Sequence, residues 1–214
     1  GIDVSDLFPH LAERADRLTV IRSMVAETAN HIPGIFQANT GFRQMGFPSM
    51  GAWLSYGLGS VNDDLPSFVV LPDSRGIPNA AGGTFNWTAG FLPAEHQGVA
   101  FDTRGEEPIR SLRPVDSVTP QAQEARRRLL ATLNRHHLEE RAAADPLVAR
   151  VRAYELAARM QLAIPEATRM QDETAETRAL YGLDDDATRD VARNCLTARR
   201  LIERGVRMVQ IWTG

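Results

Sequence analysis

The feature that most constrains the fold of this chain is a set of short apolar segments, each of which follows a helical pattern. Three segments have the β-branched, apolar composition of strands: residues 18–22, the stretch LPSFVVL ending at Leu71, and residues 206–212. They are apolar on both faces, as expected of strands that helices cover on both sides. The sequence therefore predicts an α/β fold, with a mostly parallel sheet and helices on both faces.

Helical periodicity precedes each of these segments. The spacing predicts a first helix over residues 4–16, a second from Pro48 that glycines close, and a third over residues 187–204 with Gly205 just beyond its end. The apolar positions of the third helix are spaced four, three and four residues apart: Val191, Cys195, Ala198 and Ile202. We expect these positions to form its buried face.

Two insertions separate the second and third predicted strands. Residues 73–113 are rich in Gly, Pro and Asn and predict a loop, whereas residues 119–181 predict two or three helices that break near Pro146 and Pro165. We expect residues 1–214 to form a single but incomplete α/β domain, because the chain ends on a strand of core composition.

Composition excludes some classes of function. The formal net charge is -3 and the basic side chains are all arginine, without lysine, so there is no basic footprint for nucleic acid and no lysine amine for catalysis. With one cysteine, Cys195, no disulfide forms within the chain. No apolar run approaches the ~20 residues that a transmembrane helix needs.

A candidate site follows the first predicted strand. Ligands of open α/β sheets bind beyond the carboxyl ends of the strands, where residues 23–39 would lie. A short helix is predicted from about His31 to Asn39, with Thr28 or Asn30 as its cap and Gly41 just beyond its end. Its N-terminus would attract a phosphate or sulfate, and His31 would act as nucleophile, metal ligand or general acid/base. The alternative is that Asn30 only caps the helix and His31 only makes a structural hydrogen bond.

The spacing of His31, Pro33, Thr40 and Gly41 resembles the sulfatase signature Cys/Ser-x-Pro-x-Arg-x-x-x-x-Thr-Gly. The stretches RADRLTVIRSM, NHIPGIFQANTG, PSMGAWLSYGLGSVNDDLPSFVVL, FLPAEHQGVAF and CLTARRLIERGVRMVQIW resemble a bacterial family that carries a domain of unknown function. Members of that family usually have a twin-arginine export signal and are grouped with sulfatases and alkaline phosphatases.

This resemblance implies an alkaline phosphatase/sulfatase-like fold, export to the periplasm and a divalent metal, which would be calcium, zinc or magnesium. It implies metal-assisted hydrolysis of a sulfate or phosphate ester of a small molecule or carbohydrate, with His31 as the catalytic residue and Asn30 and Thr40 positioning it. Two positions depart from the signature. His31 replaces the residue that becomes formylglycine, and Ile35 replaces the signature arginine.

The departures leave a second class of function open, in which the chain keeps a ligand cleft or acts as a scaffold without chemistry.

A second group of candidates lies in the predicted loop, which carries five ring-bearing residues: Phe85, Trp87, Phe91, His96 and Phe101. We predict that Trp87 and His96 contact the substrate. The alternative is that these rings form a small satellite core beneath the loop.

Overall fold

The computed structural model describes residues 2–73, 82–105, 108–109, 119–140 and 145–213. Its sheet consists of the parallel strands β1 (Phe68–Leu71), β2 (Val99–Ala100) and β3 (Met208–Ile211), in the order β2-β1-β3. Val69 of the central strand pairs with Val99 on one side and Val209 on the other. The parallel α/β class and the second and third predicted strands are confirmed. The very short β2 lies inside the predicted loop, where its two residues carry no detectable pattern.

The helices of the described residues are α1 (Pro9–Ala12), α2 (His31–Thr40), α3 (Met50–Leu58), α4 (Pro120–Glu140), α5 (Asp145–Thr168), α6 (Ala175–Tyr181) and α7 (Arg189–Glu203). Short 3₁₀ helices occur at Ala15–Arg17, Gly83–Trp87, Ala94–His96 and Met170–Asp172. The helix predicted over residues 4–16 thus forms only as α1 and a 3₁₀ turn. None of the described helices is both long enough and apolar enough to cross a lipid bilayer.

Alternate strand residues face two different helical layers, because side chains alternate across a sheet. Val69 and Leu71 pack into a core with α5 and α7. Phe68 and Val70 pack on the other face against Trp87, and α3 also contacts this side of β1. The fold therefore has a layer of helical structure on each face of its sheet.

The strand predicted over residues 18–22 is wrong. These residues are irregular in structure, and Leu18, Val20 and Ile21 are exposed. A strand needs a neighbour that accepts and donates its backbone hydrogen bonds, and no strand of the described part lies beside this segment. Its β-branched composition is therefore not sufficient to make it a strand.

Helix α7 is confirmed, and Gly205 follows it with a φ of +90°, but the predicted buried face is wrong. Val191 and Ile202 are exposed, and Cys195 is half-buried, with burial raising the pKa of its thiol. The buried residues lie one position around the helix: Ala192, Asn194, Leu196, Thr197, Arg200 and Leu201. Half of this face is polar.

Hydrogen bonds allow two of those polar residues, Asn194 and Arg200, to be buried. Asn194 donates to the carbonyl of Pro72 at 3.1 Å and accepts from the Thr103 hydroxyl at 2.6 Å. Arg200 ion-pairs with Glu173. A buried polar group that is fully hydrogen-bonded avoids the penalty for desolvation, which periodicity of apolar residues does not reveal.

Residues 119–181, where the sequence predicts two or three helices, contain α4, α5 and α6, but one predicted break is wrong. Helix α5 continues through Pro165 to Thr168 and does not break there. Ile164 and Ala167 flank this proline and are fully buried in the core beside the sheet. Packing of that last turn stabilises the helix against the loss of one backbone hydrogen bond at proline. Residues 74–81, 106–107 and 110–113 of the predicted loop lie outside the described residues.

Candidate functional site

Helix α2 begins at His31, as predicted, and ends at Thr40, one residue beyond the predicted end. The Asn30 side chain caps it, with Oδ1 accepting from the Ile32 backbone N–H at 3.1 Å. Gly41 ends the helix in the left-handed conformation, with a φ of +83°, which glycine adopts without strain. His31 is exposed at the positive end of the helix, and its ring has no hydrogen-bond or ion-pair partner among the described residues.

The number of free backbone donors at this helix end is small. The N–H of Ile32 donates to the Asn30 side chain, and Pro33 has no N–H. The N–H of Gly34 donates to the Asn30 carbonyl at 3.0 Å. Within the described chain only the N–H of His31 is without an acceptor in the first turn. An anion here would thus be held by one backbone donor, the helix dipole and the His31 imidazole.

Replacing Asn30 with alanine should destabilise the chain by about 1 kcal/mol, since the first turn loses its cap. Urea denaturation followed by circular dichroism measures this change. The matched variant Asn30→Asp keeps an acceptor and places negative charge at the positive helix end, so its stability should equal or slightly exceed the original. Equal stability of Asn30→Ala and the original chain would show that the cap is not formed.

Thr40 lies at the other end of α2, about 13 Å from His31 along the helix axis. Its hydroxyl donates to the carbonyl of Phe36 at 2.8 Å and accepts from the N–H of Phe42 at 3.1 Å. Asn39, beside it, accepts from the side chain of Gln210 at 2.7 Å. The C-terminal end of α2 therefore contacts β3, and the structure does not bring Thr40 and His31 together.

Trp87 lies in the core and offers no exposed ring face to a substrate. It is 6% exposed and packs with Phe68 and Val70, while its ring meets that of Trp212 edge-on, with 6.1 Å between centroids. Phe101 is completely buried in the opposite core. Trp87 and Phe101 therefore pack into the core, as in the alternative in which the loop rings are structural.

His96 belongs to a hydrogen-bonded cluster that the sequence does not reveal. Its Nδ1 lies 2.9 Å from the Ser55 hydroxyl, which lies 2.5 Å from the Ser67 hydroxyl. Its Nε2 lies 3.8 Å from Glu95 Oε1, and that carboxylate accepts from Arg152 at 2.8 Å. The participating residues are far apart along the chain, so their spacing gives no signal.

The order serine, histidine and carboxylate is that of a hydrolytic triad, but two observations favour a structural role for this cluster. Ser55 is buried, and its hydroxyl is already engaged by both His96 and Ser67. Ser67 immediately precedes β1, which places the cluster at the amino end of the strands, whereas ligands of such sheets bind at the carboxyl end. His96 and Ser55 thus connect α3 to the start of the sheet.

Exposed aromatic rings continue from His96 across the surface. Tyr56 meets His96 edge-on at 5.3 Å, Trp53 meets Tyr56 at 6.2 Å, and Phe91 meets Trp53 at 5.8 Å, all between centroids. Of the five candidates in the predicted loop, Phe91 lies in this row and Phe85 is exposed elsewhere. The predicted contact of His96 with substrate stays a prediction.

The donor set for a divalent metal is not present in the described part of the chain. No three side chains of His, Cys, Asp or Glu lie close enough there to hold one ion. The calcium, zinc or magnesium that the resemblance implies does not fit these residues alone, and no step below is derived through it.

These observations define an α/β protein with a three-stranded parallel sheet and an exposed histidine at a helix N-terminus. The chain belongs to the family described as protein of unknown function (DUF1501), whose sequence profile matches residues 1–214. No curated protein and no solved structure matches the chain.

Proposed function

We propose that this chain contributes the oxyanion-binding helix of a sulfatase-like hydrolase, which acts on a sulfate or phosphate ester of a small molecule or carbohydrate. The observation that carries the proposal is the exposed His31 imidazole at the positive end of α2. The resemblance of residues 31–41 to the sulfatase signature supports it. Export to the periplasm, also from resemblance, stays a prediction.

The chemistry open to His31 follows from its position. The helix dipole and the His31 N–H stabilise negative charge that develops on the ester oxygens. A neutral ring nitrogen would attack the sulfur or phosphorus, forming a bond to it as the alcohol departs, and water would then release the anion. Alternatively, a protonated ring would donate to the departing alcohol oxygen while water attacks. Both routes require the ring to be exposed, as it is here.

Replacing His31 with glutamine should lower ester hydrolysis by about 100-fold or more, the usual contribution of a residue that transfers a proton in the transition state. The assay measures release of 4-nitrophenol from its sulfate and phosphate esters, with calcium, zinc or magnesium supplied in turn. His10→Gln is the control, because His10 is also an exposed histidine but lies on α1. Unchanged hydrolysis in His31→Gln would exclude His31 from the chemistry.

A non-catalytic binding protein is the second candidate, and the surroundings of His31 favour it. A catalytic imidazole is normally oriented by a second polar group, and the described residues provide none here. Ile35, one turn further along α2, stands where the sulfatase signature has arginine. This candidate predicts that inorganic phosphate binds the original chain and binds the His31→Gln variant more weakly. It also predicts that neither protein hydrolyses the esters.

A further inference from the structure

A cavity of about 530 Å³ lies beyond the carboxyl end of β2, between the chain that follows this strand and helices α5 and α7. This volume is in the range of small-molecule sites, and the carboxyl end of a parallel strand is where such sites occur. The polar residues that line it are mainly arginine and threonine: Thr103, Arg104, Thr168, Arg169, Arg193 and Thr197.

The charge of this lining is positive. Arg104 is paired, with two contacts to Asp102 at 2.8 and 2.6 Å, and Arg169 lies 3.8 Å from Asp172. Arg193 has neither an ion pair nor a hydrogen bond within the described chain. No acidic side chain is among the described lining residues. A guanidinium group without a partner, beside two others, is suited to an anion.

Thr197 supplies a second, independent observation. It is 0% exposed, it lines the cavity, and its hydroxyl has no hydrogen-bond partner in the part of the chain that the structure describes. The neighbouring hydroxyls of Thr103 and Thr168 already donate, to Asn194 at 2.6 Å and to the Ile164 carbonyl at 2.9 Å. Buried hydroxyls are rarely left unpaired, so the Thr197 hydroxyl is available to donate to a ligand.

Arg193 and Thr197 are one helical turn apart on α7 and therefore lie on the same side of the helix. Their donors can thus reach one ligand together. Pro108, Pro165 and Met170 provide an apolar part of the wall. The lining combines a cationic and hydroxyl-bearing part with an apolar part, as required for a small molecule with one anionic group.

We propose that this cavity binds a tetrahedral oxyanion, phosphate or sulfate, either free or as the end group of a small organic molecule. The Arg193 guanidinium and the Thr197 hydroxyl donate to the oxyanion, and the apolar wall contacts any organic part. The site is distinct from His31, since α5 and α7 cover one face of the sheet while α2 contacts Gln210 and the 3₁₀ segment of Trp87 on the other. The proposal does not depend on hydrolytic activity.

The test is calorimetric titration of the whole chain with inorganic phosphate, performed in the original sequence and in the His31→Gln background. The second background separates this cavity from the His31 site. Arg193→Gln should weaken phosphate binding about 10-fold or more in both, since it removes a charge-assisted contact. Arg150→Gln, which removes an exposed arginine on α5, should leave the affinity unchanged. Equal affinities of the original chain and Arg193→Gln would overturn the proposal.

Thr197→Val distinguishes a ligand contact from a structural role. Valine has the shape of threonine but no hydroxyl, so removing an unpaired buried hydroxyl should raise the melting temperature without phosphate. The same variant should bind phosphate several-fold more weakly. A lower melting temperature with unchanged affinity would overturn the assignment of Thr197.

A parallel titration with phenyl phosphate identifies the source of the oxyanion. Tighter binding than inorganic phosphate supports an ester whose organic part contacts the apolar wall. Equal affinity supports the free anion as the ligand. Absence of binding by either probe would overturn the site.

Discussion

Replacing Glu173 with glutamine should lower the free energy of unfolding by about 3 kcal/mol, because it leaves a buried guanidinium without its counter-charge. Glu173 and Arg200 each have side chains 9% exposed and form an ion pair. Arg200 also donates to the carbonyls of Ala167 and Glu166 at the end of α5, at 3.0 and 2.9 Å. Arg199 contacts the same carboxylate at 3.1 Å. The group thus joins α7, α5 and the segment before α6, and urea denaturation at neutral pH measures its loss.

The pH dependence provides a separate check on Glu173. The hydrogen bond from Arg200 lowers the pKa of the Glu173 carboxyl; burial opposes this shift, and contact with Arg199 adds to it. Because the folded pKa is below the unfolded value, the contribution to stability is complete above the ordinary carboxyl range of about 4.3 and is lost as pH falls through the folded pKa. The stability difference between the original chain and Glu173→Gln should therefore shrink in acid.

The matched control is Glu203→Gln. Glu203 lies 3.3 Å from Arg199 but is exposed on the surface of α7, so its loss should cost less than about 0.5 kcal/mol. Similar losses in Glu173→Gln and Glu203→Gln would mean that burial of the Glu173–Arg200 pair contributes nothing.

Local signals predicted those parts of the fold that local interactions determine. The Asn30 cap and the glycine at Gly41 delimit α2 because their hydrogen bonds and backbone conformation involve near neighbours. Helix α7 and the glycine that follows it were predictable for the same reason. Apolar composition predicted β1 and β3, whose apolar side chains pack into cores on both faces of the sheet.

Interactions between distant residues account for the errors. Residues 18–22 have the composition of a strand, but pairing depends on a neighbour elsewhere in the chain. The buried face of α7 was misplaced because Asn194 and Arg200 are buried through bonds to Pro72 and Glu173, 122 and 27 residues away. In the candidate site, Asn30 and His31 were found at the helix N-terminus as expected, since capping is local. The His96–Ser55 contact joins residues 41 apart and leaves no pattern in the sequence.

Replacing Phe68 with alanine should lower the free energy of unfolding by about 4 kcal/mol, the largest effect we expect for a single core substitution. Phe68 is 1% exposed, begins the central strand and packs with Val70 and Trp87. Its ring lies directly against two glycines. A Cβ added at Gly51 would lie 2.5 Å from the ring, and one at Gly98 would lie 2.8 Å from it. Because both glycine segments are close-packed on the ring, its removal leaves a cavity. Urea denaturation measures the loss.

Two glycines of α3 test whether the ring of Phe68 is what positions this helix. Gly57 faces open space, so Gly57→Ala should stabilise the chain by about 0.5–1 kcal/mol through helix propensity alone. Gly51→Ala gains the same propensity but forces a methyl group into the ring, so it should destabilise by about 1–3 kcal/mol. In the Phe68→Leu background this penalty should shrink, since a smaller side chain leaves room for the methyl group. Equal effects of the two glycine substitutions would contradict close packing between α3 and β1.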